Sequence, residues 1–152
     1  MLMIGVAFHI VAAVIWVGGM FFALVMLRPS AGPLDPPTRL ALWQRVFARF
    51  FQWVWAAVAV LLISGFAMII WGFGGFAKIG IYVQAMMALG IIMMLIYAHL
   101  YFAPWQRFRR AVAAREWPVA AKYIDQIRLM VTINLVLGLI TVVIGAAGRY
   151  YG

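Results

Sequence analysis

Cysteine does not occur in the 152 residues, so no disulfide, thiolate-bound zinc or iron–sulfur cluster is available. Acidic residues are almost as scarce. Three Asp and Glu stand against twelve Lys and Arg, for a net charge of +9. None of the three, Asp35, Glu116 and Asp125, falls in an apolar run, which argues against a proton relay of buried carboxylates. A phosphate-binding loop, paired catalytic carboxylates and a Ser-His-Asp set are also missing, which sets aside ATP hydrolysis and ordinary hydrolase chemistry. Charged residues make up only 10% of the chain and hydrophobic ones 68%. A soluble domain of this size could not hide so much apolar surface, so the chain reads as an integral membrane protein.

Four charge-free stretches follow one another, each long enough to cross about 30 Å of hydrocarbon at about 1.5 Å per residue. The spans are expected near 2–27, 50–72, 79–103 and 126–148, within one membrane domain over 1–152. The expected fold is all-α, a four-helix up-down-up-down bundle. The first stretch has no basic leader and reads as a retained span, not a cleaved signal. Residues 29–37, P-S-A-G-P-L-D-P-P, make a proline-rich loop. Thr38 is the expected cap of a helix running through Arg45 and Arg49 into the second span. W-G-F-G-G-F-A-K-I-G at 71–80 is a short turn, and a new helix is expected to start near Trp117-Pro118. No soluble domain fits into these connections. Trp43, Trp53, Trp71, Trp105 and Trp117 read as interfacial anchors.

Charge sets the expected orientation. The first and third connections hold Arg28, Arg39, Arg45, Arg49, Arg107, Arg109, Arg110, Arg115, Lys122 and Arg128, ten of the twelve basic residues. Lys78 and Arg149 are left for the other side. The positive-inside rule makes both long connections cytoplasmic and both termini periplasmic. The basic residues then meet anionic headgroups, and nucleic acid is not an expected partner.

Two histidines lie inside the spans, and an intramembrane histidine is a functional-site candidate by default. His9 sits about 10 Å into the hydrocarbon from one end, and His99 at a similar depth from the other. Something like 15–20 Å along the membrane normal separates them, so they cannot share one metal or one haem within a chain. Trp16 lies near the face of His9 and could wall a site there. Asn134 and the glycines of the last span form a small-and-polar stripe that faces other helices, by packing or by ligation. Met130 falls near the level of His99, and Met68 or Met86 near that of His9. The ten methionines invite a thioether-metal reading, although Met86, Met87, Met93 and Met94 form heptad stripes turned away from His99 and suit packing. Arg107 or a neighbour could hold haem propionates near His99. The small-residue faces would allow a parallel homodimer.

The run H-I-V-A-A-V-I-W-V-G-G-M-F-F at 9–22, with L-R-P at 27–29, resembles the opening of CopD-type copper-resistance membrane proteins. R-F-F-Q-W-V-W (49–55), F-G-G-F-A-K (73–78), A-H-L-Y-F-A-P (98–104) and I-R-L-M-V-T-I-N-L-V-L-G (127–138) carry the likeness through nearly the whole chain. The resemblance is to the short, stand-alone members. It implies copper uptake or homeostasis at the bacterial inner membrane; on the residues themselves, His9 would take the ion near the outer face and His99 with Met130 would receive it near the inner face. A more distant similarity to HemJ-type protoporphyrinogen oxidases selects His9, Trp16 and His99 beside a b-type haem. Arg128 and Asn134 match that family's fourth helix, without its Glu beside the Asn. The expected function is copper handling by His and Met sites in the bundle, with a b-type haem redox protein as the alternative.

Overall fold

The structure is a computed structural model and describes residues 2–150. Helix α1 (Leu2–Phe21) runs on through a π-helical turn, Phe22–Leu27, and a closing turn, Arg28–Ser30. Pro29 accounts for the change of pitch. It has no N–H and its ring crowds the carbonyl a turn back, so the helix widens before it. The Arg28 N–H accordingly donates to the carbonyl of Ala23, five residues back.

Helix α2 (Pro36–Ala67) is capped by Asp35 and not by Thr38. The Asp35 carboxylate accepts from the Thr38 N–H at 3.1 Å, and the two prolines fill first-turn positions that need no N–H partner. A second π turn, Met68–Gly72, leads into a bend where Gly74 and Gly75 take φ of 77° and 110°, left-handed angles that suit glycine. Helix α3 (Ile81–Phe102) breaks at Ala103, and α4 (Pro104–Ala113) follows at once. The last helix is α5 (Trp117–Ala147). Between α4 and α5 the N–H groups of Arg115 and Glu116 close back on the carbonyls of Val112 and Ala111, a Schellman stop with Arg115 at φ 57°.

Four helical segments are long and apolar enough to cross a membrane: Met3–Ser30, Pro36–Gly72, Ile81–Ala113 and Trp117–Ala147. The chain is a multi-pass, all-α, four-helix membrane bundle. Helix α1 packs chiefly on α2, and α3 on α5, while α5 also touches α1 and α2. Small residues set both registers. A Cβ on Gly5 would lie 3.7 Å from Met68 Cγ, and one on Gly19 would overlap the Phe50 ring. On the other seam, Gly145 lies under Met86 and Gly138 under Met93 and Val17.

The two ends of the bundle differ. Toward the basic end, α2 and α5 run beyond the apolar stretches and α4 packs on both, so much of the connecting chain is helical, apart from the short loop at residues 31–35. Helix α4 is sharply two-sided. Trp105, Phe108, Ala111 and Val112 are buried, while Arg107, Arg109 and Arg110 are exposed. Together these elements form a cap with its own core, including Leu40, Trp43, Phe47, Trp105, Phe108 and Ile127. Phe47 stacks on Phe51 with ring centres 5.0 Å apart, and Trp105 meets Phe51 edge-on at 5.1 Å. Trp43 and Trp105 are therefore core residues, at 0% and 2% exposure, and not interfacial anchors. Trp53 and Trp71, at 62% and 82%, remain on the surface.

At the opposite end few side chains are fully covered. Beyond Gly138 no described residue of α5 is buried, and α1 has none before Ala12.

Candidate functional site

His9 sits in this looser end, half-buried on α1. Its Nδ1 is 2.8 Å from the hydroxyl oxygen of Ser64 on α2. Proton counting assigns the donor. The Ser64 hydroxyl has one proton and already donates it to the Val60 carbonyl at 2.6 Å. The hydroxyl therefore accepts from the imidazole, and Nδ1 carries the hydrogen. In a neutral ring that leaves Nε2 bare, with a lone pair for a metal or a proton. The ring also packs beside Gly65, the next residue. A Cβ there would touch His9 Cε1 at 3.5 Å, an ordinary contact.

The same seam supplies a thioether. Met68 is one turn beyond Ser64, against Gly5, which is one turn before His9. Met68 thus follows His9 along the α1–α2 seam toward the end away from the basic cap. Met86, expected at a similar depth, packs instead on Gly145 in the α3–α5 seam.

The other expected site residues are dispersed. Trp16 is 3% exposed and lies two turns deeper than His9, with its ring 6.0 Å from that of Tyr97. The Tyr97 hydroxyl in turn donates to the Phe51 carbonyl at 2.8 Å. Trp16 therefore belongs to the aromatic interior. Asn134 is buried at 2% exposure, and its amide nitrogen donates to the Met93 carbonyl at 3.1 Å. Among the described residues its Oδ1 has no hydrogen-bond partner. This bond joins α5 to α3.

His99 is exposed, on the face of α3 that also carries Leu95 at 65% and Phe102 at 67% exposure. That face points away from the bundle. Buried Met93, Tyr97 and Leu100 define the inner face, and at 100° per residue His99 lies 100° or more from each of them. Met130 is half-buried on α5 and packs against the core. Arg107 is exposed on α4. The structure does not bring His9 and His99 together, as their depths required. Among the described residues no group of three His, Cys, Asp or Glu side chains is placed to hold a metal.

The structure thus pairs His9 with Ser64 and places Met68 one turn further along the same seam. The pairing of His9 with Ser64 is not among the sequence expectations. The signal was depth. Each is the polar side chain of its span at the same height in antiparallel neighbours.

A surface groove of about 120 Å³ runs along α1 and α2 past Phe8, Val11, Ile15, Trp53, Ala57 and Val60, and its lining is apolar throughout. It offers no ligand atoms. Comparison with known proteins adds one finding. The family model described as copper resistance protein D matches residues 44–147. No curated protein and no solved structure matches the chain.

Proposed function

The chain belongs to the copper resistance protein D family, and from that premise we propose that it binds Cu(I) as cargo through His9 Nε2 and the Met68 thioether. The observation that supports this reading is the Ser64 hydrogen bond, which engages Nδ1 and turns Nε2 toward a ligand role. Cu(I) takes soft and borderline ligands in low number, so one imidazole and one thioether make a sufficient stop for an ion in transit. Half-burial keeps the imidazole within reach of the end of the bundle. The absence of a carboxylate nearby disfavours hard cations such as Mg²⁺ and Ca²⁺.

Orientation follows from charge. With the basic cap in the cytoplasm, His9 and Met68 lie in the outer leaflet of the inner membrane and take copper from the periplasmic side. The aromatic interior between Trp16 and Trp105 then separates that stop from the cytoplasm, and passage requires the helix pairs to part. His99 lies on the outer surface of α3, so it is not a second stop inside this chain. A b-type haem has nothing to favour it. Neither the family match nor the packed surroundings of Trp16 and Asn134 support one.

Titration of the purified protein with Cu(I) against a chromophoric Cu(I) chelator tests the reading. The native chain is expected to hold one Cu(I). His9→Ala abolishes this, Met68→Leu weakens it about tenfold or more, and His99→Ala leaves it unchanged. Full binding in His9→Ala would refute the proposal.

A further inference from the structure

Three arginines from different elements converge at the level where the first span ends. Arg128, on α5, lies over the Trp43 ring with its Cζ 5.1 Å from the ring centre, and only 16% of its side chain is exposed. Its one acid partner is Asp125, 3.2 Å from Nη1 and 72% exposed. Trp43 follows Arg39 by one turn on α2, which brings Arg39 to the level of Arg128. The register agrees. Val17 packs on Gly138 between antiparallel helices, and counting ten residues from each brings α1 to Leu27 and α5 to Arg128.

The donors here exceed the acceptors. Among the described residues, Arg128 Nε and the indole nitrogen of Trp43 are buried without a hydrogen-bond partner. Arg39 is tethered by Nη1 to the carbonyls of Gly32 and Leu34, at 3.3 and 3.4 Å, which draws it toward the proline-rich loop between α1 and α2. Arg28 follows the last apolar residue of the first span and is exposed. Three guanidinium groups thus share two exposed carboxylates, Asp125 beside Arg128 and Asp35 beside Arg39, and the cluster keeps a net positive charge. Such a cluster repels itself unless an anion joins it, and guanidinium forks match the oxygens of a phosphate. The same charge excludes a copper ion.

We propose that Arg28, Arg39 and Arg128 form a binding site for a phosphate group at the basic end of the bundle. The level, at the end of an apolar span, is that of a phospholipid headgroup. An inorganic phosphate ion has the same recognition chemistry. Arg128 is the fixed element, held by Trp43, while Arg28 and Arg39 close from the loop side.

Thermal unfolding in an uncharged detergent tests this. Native protein is titrated with dioctanoyl phosphatidylglycerol, dioctanoyl phosphatidylcholine or inorganic phosphate. The phosphatidylglycerol is expected to raise the unfolding midpoint saturably and more than the phosphatidylcholine. Arg28→Gln/Arg39→Gln should need roughly thirtyfold more, from about fivefold per arginine near a charged surface. Arg109→Gln/Arg110→Gln loses the same charge on α4 and should respond like the native chain. Protection by inorganic phosphate would identify a general phosphate site, and protection by phosphatidylglycerol alone a lipid site. Equal responses of native, Arg28→Gln/Arg39→Gln and Arg109→Gln/Arg110→Gln proteins would overturn the proposal. Equal protection by the two lipids, lost in Arg28→Gln/Arg39→Gln, would show that the phosphate group alone is recognised.

Discussion

Replacing Ser64 by alanine removes the oxygen that accepts from His9 Nδ1 and leaves both proposed ligand side chains, His9 and Met68, in the chain. The stability cost is small. A hydrogen bond of this kind contributes about 0.5–1.5 kcal/mol net, and those between membrane helices average about 0.6 kcal/mol. The effect on copper is larger for its size. Without the acceptor the ring can turn, and the proton can move to Nε2, where it blocks the metal. Losing the group that orients a metal-bound histidine typically weakens the site 10–100-fold, which is about 1.4–2.8 kcal/mol. The expected result for Ser64→Ala is therefore a Cu(I) affinity down by at least tenfold, with an unfolding midpoint close to native. Nitrogen-15 NMR of histidine-labelled protein reads the cause. The chain has two histidines, so His99→Ala leaves a single pair of ring signals. In that background Nδ1 should be protonated and Nε2 bare, and Ser64→Ala should shift the balance toward protonated Nε2. Ser64→Thr, which keeps a hydroxyl, should restore most of the affinity. Native-like copper binding in Ser64→Ala, or a native ring protonated on Nε2, would refute the reasoning.

Other consequences concern the scaffold. Gly19→Leu should destabilise by about 1–3 kcal/mol, because even a Cβ there overlaps the Phe50 ring, whereas Gly18→Ala, with nothing within 4 Å, should be nearly neutral in the same unfolding assay. Asn134→Leu should change stability by less than about 1.5 kcal/mol, since it gives up one bond to Met93 but also removes an unpaired buried oxygen. Arg115→Gly should raise stability by about 1 kcal/mol, because it relieves a left-handed φ of 57° at the α4 stop. Asp35 gives a pH signature. Its hydrogen bonds from Thr38 hold the carboxyl below the usual range, so the cap contributes fully above the ordinary carboxylate pKa and is lost as pH falls through the lowered value. Asp35→Asn, which keeps an acceptor without titrating, should flatten that part of the stability–pH curve.

The four apolar helices of the all-α bundle were legible because charge-free length marks them. What the sequence hid was the basic cap. Residues 36–49, 104–113 and 117–128 mix arginine with aromatics, a pattern that reads equally as an interface. Only the contacts among α2, α4 and α5 reveal that Trp43 and Trp105 face inward. The start of α2 was misplaced by three residues because Thr38 and Asp35 both resemble caps, and the two prolines favour the earlier one. At the candidate site, depth correctly separated His9 from His99. Facing was harder. The buried residues of α3 are spread along an almost uniformly apolar helix, so periodicity alone did not show that His99 looks outward. Met68 was one of two options until the glycine contacts assigned it to the seam of His9 and Met86 to the other.

X-ray absorption at the copper edge of the Cu(I)-loaded His99→Ala protein tests the central claim most directly. The account predicts one imidazole nitrogen and one thioether sulfur in the first shell, with the sulfur lost in Met68→Leu and the copper itself lost in His9→Ala. A first shell without imidazole, or one unchanged by His9→Ala, would contradict it.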